Sequence, residues 1–282
     1  MKISARYTLF FALIFALSSC NLEQEIDIEF PEADQRYVVE CYLEANRPFN
    51  LLITQTAGYF DPFPSSDSEY LESILVDSAQ VFIRHQGVEY QLNNELYLDF
   101  TTRQLFNYHS NELVPESFDD DFELNITLAN GQTIQGITRI LPAVPLDSVK
   151  VEFQSDADTL ARVLAYFSDI PNQENYYRRM LHIGTLDSLP EQDFTVDDRL
   201  VEESYVFGSA YDFAVGDTVI NTIFHLTKDH YEFIQSVDNA TNANGNPFGQ
   251  PSPLISNLSG TAPATGIFTG VSYSREQTII ER

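Results

Sequence analysis

From Arg36 onward, apolar and polar residues alternate with a period of two in one short run after another. A chain patterned in this way is confined to β-sheets that bury one face. In Tyr37-Val38-Val39-Glu40-Cys41-Tyr42-Leu43-Glu44, the side chains of Val39, Cys41 and Leu43 share one face, with Glu40 and Glu44 on the other. Residues 50–55 (NLLITQ) and 80–84 (QVFIR) repeat the habit. Between them, Tyr59-Phe60-Asp61-Pro62-Phe63-Pro64-Ser65-Ser66 reads as a loop, because proline cannot donate to a ladder. Residues 121–128 and 132–139 flank Ala129-Asn130-Gly131, where Asn-Gly marks a hairpin. Past the stiff Leu141-Pro142-Ala143-Val144-Pro145, strands are predicted over 147–153, 160–167, 175–182, 217–226, 266–273 and 277–281. One helix is predicted over 227–240: Thr227 caps it, Asp229 suits its first turn, and Tyr231, Ile234 and Val237 follow helical spacing.

The expected fold is mostly β, with two β-sandwich-like (Ig-like) domains, residues 35–142 and 143–282, and the helix in the second. They are expected to meet near 141–146, with no sheet running through the boundary. Hydrophobic residues make up 43% of the chain, with 21 Phe and 15 Tyr, enough to fill such cores.

Residues 1–19 read as a lipoprotein signal peptide. Lys2 and Arg6 form a positive start, and an apolar run from Tyr7 to Leu17 follows. Leu17-Ser18-Ser19-Cys20 resembles the bacterial lipobox, which implies cleavage before Cys20 and lipidation of its thiol and new amino terminus. Two or more acyl chains make a stable anchor where one does not. The anchor is followed by an acidic tether over 20–34. Asn21 stands where retention in the inner membrane would call for Asp, and the acidic residues after the cysteine resemble an export signal to the cell surface. The expected location is the outer membrane, on the cell surface, with the periplasmic face as the alternative. No later stretch approaches the roughly 18 apolar residues of a spanning helix, so the lipid is the only expected membrane contact.

Asp and Glu number 42 against 15 Lys and Arg, a net charge of −27; loss of Lys2 and Arg6 leaves 13 cations and takes it to −29. Such a surface repels phosphates, which excludes a nucleic-acid partner and disfavours anionic lipid.

No constellation points to catalysis. There is no Gly-x-Ser-x-Gly, and His85, His109, His182, His225 and His230 pair with no evident nucleophile. Cys41 shares the phase of Val39 and Leu43, so an inert core thiol is expected. His225 and His230 are five apart, which is not the spacing of a helical zinc pair. Asp119-Asp120-Asp121, Asp156-x-Asp158 and Asp197-Asp198 offer carboxylates to calcium but match no calcium loop, and solvated loop acids are the expected reading. No cofactor is expected beyond the lipid on Cys20.

Further pieces recur over nearly the whole mature chain. They include Val38-Val39-Glu40-Cys41-Tyr42-Leu43-Glu44, Asp77-Ser78-Ala79-Gln80-Val81, Ile140-Leu141-Pro142 with Leu146-Asp147-Ser148-Val149, and Asn175-Tyr176-Tyr177-Arg178. After the helix come Asn246-Pro247-Phe248-Gly249-Gln250-Pro251-Ser252, Ser256-Asn257-Leu258-Ser259-Gly260 and Gly266-Ile267-Phe268. In this order they resemble the domain of unknown function 4249 family of bacterial envelope lipoproteins. Cys41 stands where the resemblance would lead one to expect glycine, and Thr261-Ala262-Pro263-Ala264-Thr265 interrupts a region usually richer in it. The family has no established enzymatic activity. The resemblance implies a non-catalytic accessory of a TonB-dependent outer-membrane receptor that helps in ligand capture or uptake; the alternative is a surface hydrolase or adhesin. The expected working surface is 246–268, where prolines stiffen a loop carrying Phe248, Leu254, Ile255 and Phe268.

Overall fold

The alternation is realised strand by strand. The computed structural model describes residues 35–57, 64–100, 104–118, 120–199, 204–244 and 252–282. Its first half runs β1 (Tyr37–Glu44), β2 (Pro48–Gln55), α1 (Asp67–Ile74), β3 (Gln80–His85), β4 (Val88–Asp99), β5 (Gln104–Leu113), β6 (Phe122–Thr127) and β7 (Thr133–Thr138). The second half adds β8 (Leu146–Phe153), β9 (Leu160–Ser168), β10 (Tyr176–Ile183), β11 (Gln192–Asp197), β12 (Ser204–Gly208), β13 (Phe213–Ala214) and β14 (Thr218–Leu226). α2 (Lys228–Asn244), β15 (Leu258–Gly260) and β16 (Ala264–Ile279) complete it. The protein is mostly β and sandwich-like, as the period-two pattern requires.

Twelve strands are hydrogen-bonded in one path, β11-β10-β14-β16-β1-β2-β5-β4-β3-β6-β7-β15, and β8, β12 and β13 pair with β9 in a second sheet. The long path turns back on itself, so that Val39, Cys41 and Leu43 of β1 and Phe268 of β16 share one core with Val81 and Ile83 of β3 and Leu124 and Ile126 of β6. The second half holds two smaller clusters, one of Val144, Phe167, Tyr177, Tyr205 and Ile223 and one of Val163, Leu181, Val219 and Ile280.

One strand is shared by the ladders of both halves. The first eight residues of β16 pair in parallel with β1, from Tyr37–Ala264 to Glu44–Val271. The next eight pair antiparallel with β14, from His225–Ser272 to Thr218–Ile279. The sequence suggested two strands interrupted near Ser274-Arg275-Glu276, and two units without a shared sheet; the structure instead carries one strand and one sheet through the boundary. Those polar residues continue the ladder with β14 rather than forming a turn, and the Arg275 Nε donates to Thr222 Oγ1 at 2.9 Å. Gly266 makes the parallel approach feasible: its φ is +120°, and a Cβ there would lie 2.0 Å from the Val39 carbonyl oxygen.

The described residues hold two helices, where the sequence reading placed one. α1 was hidden in what reads as loop sequence, yet it carries its own start signal. The Glu69 N–H donates to Ser66 Oγ at 3.3 Å, and Glu69 Oε2 accepts from the Ser65 N–H and Oγ at 2.9 and 2.6 Å. This is a variant of the Ser-x-x-Glu capping box. α2 begins as expected, with the His230 N–H donating to Thr227 Oγ1 at 3.3 Å, and runs on to Asn244. Neither is long and apolar enough to cross a membrane.

Candidate functional site

The expected working surface divides when built. Phe248 lies outside the described residues. Phe268 is fully buried in the first core, in register with Cys41, which removes it from any contact surface. Leu254 and Ile255 stand out, 42% and 46% exposed. The backbone around them is strapped down: the Ile255 N–H donates to Ser236 Oγ on α2 at 2.9 Å. Asn257 brackets Phe268, accepting from its N–H at 3.1 Å and donating to its carbonyl at 2.7 Å.

A second apolar surface was not read from the sequence. Between Asn94 and Tyr97, β4 carries one residue more than β5: Asn94 faces Tyr108, while Tyr97 faces Phe106. A one-residue bulge flips every later side chain to the opposite face. Leu92, before the bulge, is buried; Leu96, Leu98 and Phe100, after it, are 60%, 42% and 83% exposed. They form a row of alternate residues along one side of the strand. The signal in the sequence is Leu-x-Leu-x-Phe, which alternation alone assigns to a core; only the extra residue turns it outward.

This row adjoins a cavity. Leu98 is paired with Leu105, and Leu105 lines a space of about 260 Å³ where the sheet forks. The fork is made by Asn107. Its Oδ1 accepts from the Ile53 N–H at 2.9 Å, and its Nδ2 donates to the carbonyls of Ile53 and Val76, both at 3.0 Å. The side-chain amide thus replaces a stretch of ladder: β5 leaves β2 there, and Leu75, just after α1, bridges to Thr54 instead. α1 lies over the gap, held by the Gln55 Nε2 donating to the Ser73 carbonyl at 3.0 Å. Leu52, Leu71, Ile74 and Phe106 supply apolar walls, and Glu40 enters from β1. Burial pushes the Glu40 carboxyl above its ordinary range.

A second recess of about 400 Å³ lies where β7, β10 and the start of α2 meet, with Asp121, Arg139, Tyr176, Lys228 and Asp229 around it. Arg139 Nε donates to Asp121 Oδ1. Both partners of that pair are largely exposed, an arrangement of low value as a binding determinant.

The residues considered for chemistry are placed as follows. Cys41 is buried and unpaired, and burial raises its thiol far above the thiolate range. His85 stacks on Phe122 with ring centroids 3.9 Å apart, and His109 on Tyr97 at 4.4 Å. His225 Nδ1 meets the Pro142 carbonyl at 2.8 Å. His230 packs on Tyr42, and burial, then the nearby Arg178, lowers it to about 4. Asp197 binds Arg199 and Asp198 accepts from the Asn175 N–H at 2.7 Å, while the backbone carbonyls of Asp156 and Asp158 accept from Arg282. Asp119 lies outside the described residues. Among the described residues, no three His, Cys, Asp or Glu converge to hold a metal.

Arg179 is the least expected side chain. It alternates with Tyr177 and Leu181 on β10 and is fully buried between the sheets of the second core. Its guanidinium donates to Gln192 Oε1 and Asn221 Oδ1, both at 2.8 Å, and to the Gly208 carbonyl at 3.1 Å. All three acceptors are neutral, and burial pulls the guanidinium down to about 10.

What the fold and these surfaces define is a β-sandwich-like protein with an exposed apolar row beside a forked-sheet cavity. The chain belongs to the family described as Domain of unknown function (DUF4249), whose model matches residues 23–277. No curated protein matches. Among solved structures, a chain of a cytokine receptor complex is similar at 11% identity, with 68% of this chain and 86% of that one covered, at a TM-score of 0.27, too low to carry an argument.

Proposed function

We propose that this protein is a non-catalytic, lipid-anchored lipoprotein of the outer membrane that works at the cell surface, where it partners a TonB-dependent receptor in capturing or taking up a ligand. The observation that carries the partner reading is the row Leu96, Leu98 and Phe100. A contiguous exposed apolar strip on a strand otherwise satisfied by its ladder costs solubility, and a macromolecular partner covers it. Leu17-Ser18-Ser19-Cys20 supports the location, because it places a lipid at the start of an acidic tether. The identity of the partner rests on the family, whose members resemble receptor accessories.

The anchor is tested by intact mass: a diacyl or triacyl addition on a chain beginning at Cys20 supports it, and an unmodified Cys20 sinks it. The partner is tested by co-purification from detergent-solubilised envelopes, with wild type beside Leu98→Ser and Phe100→Ser. Loss of a receptor-sized β-barrel protein from the variants, at unchanged melting temperature, supports the reading. A full yield of partner with both variants moves the interface elsewhere.

A further inference from the structure

The cavity under α1 is walled mainly by apolar side chains, with the neutral Thr54 and Gln104 at its edge, and one feature remains that these walls do not explain. Glu40 reaches it from β1, facing Leu52 across the β1–β2 pair, and no hydrogen-bond donor or ion-pair partner among the described residues meets its carboxylate. A carboxylate half withdrawn from water without a donor is costly, and sequences normally resolve the cost by pairing it or replacing it. Here neither has happened. The helix over the opening adds to the imbalance: α1 carries Asp67, Glu69 and Glu72 and no Lys or Arg. The helix also buries none of its own residues completely, although Leu71 and Ile74 point toward the gap, so its apolar side remains incompletely covered.

We infer that this cavity is a binding site for a small apolar molecule ending in a cationic nitrogen, with the hydrocarbon between α1 and the forked strands and the nitrogen on Glu40. The walls supply the apolar contact, and the one unpaired charge selects the sign. Size is consistent, since a cavity of about 150 Å³ holds benzene and this one is about 260 Å³. The fork at Asn107 gives the space a fixed frame, because its three amide hydrogen bonds hold β2, β5 and the segment after α1 at set separations. This site adjoins the receptor contact proposed above but does not rest on it, and its test needs no receptor.

The experiment titrates the purified full chain with three probes of one shape, phenethylammonium, 2-phenylethanol and phenylacetate, by calorimetry at pH 7. Phenethylammonium should bind about tenfold or more tighter than 2-phenylethanol, the usual scale for a charge-assisted hydrogen bond, and phenylacetate weakest. Glu40→Gln should bring phenethylammonium down to the level of the alcohol. Ile74→Trp, which fills the space from the helix side, should weaken both. Melting curves of each variant confirm that it is folded, and Ile74→Trp keeps the site testable if Glu40→Gln does not fold. Equal binding of the amine and the alcohol to the wild type, no binding of either, or an amine preference that survives Glu40→Gln would overturn the inference.

Discussion

Phe268→Ala and Leu254→Ala, made side by side, separate packing from surface contact within one segment. Phe268 is fully buried, lies in register with Cys41, and a side-chain atom at Gly136 on the facing strand would come within 3.2 Å of its ring. The backbone there is bracketed by Asn257 and held in the β1 ladder, so the walls have little freedom to collapse into a void. Truncating a core Phe in such a setting costs about 3–5 kcal/mol. In a chain of this size each kcal/mol moves the melting temperature by about 2–4 °C, so the variant should melt roughly 6–20 °C below wild type. Leu254 is 42% exposed, and its truncation should cost under about 1 kcal/mol. The assay is a thermal melt followed by circular dichroism, with calorimetry to check that the transition stays cooperative. A Phe268→Ala variant melting within about 2 °C of wild type would show that the ring is not part of the core, and the parallel β1–β16 register would have to be redrawn.

Further outcomes are expected elsewhere. His230 is held down at about 4 from an ordinary 6.5, so the unfolded chain takes up its proton first. That contribution to stability is complete above about pH 6.5 and falls as pH drops toward 4, by up to about 3 kcal/mol. His230→Phe should flatten that part of the stability profile, and identical pH dependence in the two proteins would refute it. Arg179→Met should be within about 1 kcal/mol of wild type by urea unfolding, since removing a desolvated cation offsets the loss of its three neutral acceptors, whereas Arg179→Ala should lose several kcal/mol to a void. If Met is as damaging as Ala, the charge contributes what its surroundings do not explain. Gly266→Ala forces a Cβ against the Val39 carbonyl at a φ closed to side chains, so the protein should fail to accumulate folded or melt far lower; normal expression and melting would contradict the close approach. Cys41 should resist a thiol reagent until the protein is unfolded, and labelling at the rate of a free thiol would displace it from the core.

Which features were legible in the sequence follows from how locally each is determined. β1 could be read because Val39, Cys41 and Leu43 obey one uninterrupted period, and the β6–β7 hairpin because Asn130-Gly131 announces its turn. β4 and β5 escaped, since the bulge after Asn94 breaks the phase that alternation relies on, and a bulge is a property of two paired strands. α1 is masked in the sequence although Ser66 and Glu69 stand at capping spacing, because the prolines just before them read as loop. Glu40 looked like any outward-facing acid; what makes it distinctive is the sheet fork at Asn107, 67 positions along the chain, and the helix laid over it. The proline-rich neighbours of Phe268 suggest a contact residue, whereas its burial depends on β7 lying across from β16. Arg179 sits at a core phase that no pattern of hydrophobicity would assign to a guanidinium.

The strand that pairs into both halves also sets an order of events. β16 follows every other strand in the chain, and it closes β1 on one side and β14 on the other. Tyr37 and its partner Ala264 are 227 positions apart, so β1 is delivered well ahead of its partner wherever the chain folds. Throughout that interval Val39, Cys41 and Leu43 lack Phe268, and two strand edges offer unpaired N–H and C=O groups to any neighbouring chain. Neither half can reach its finished state ahead of the other. The two ladders therefore stay open until β16 arrives, and it completes both in one step.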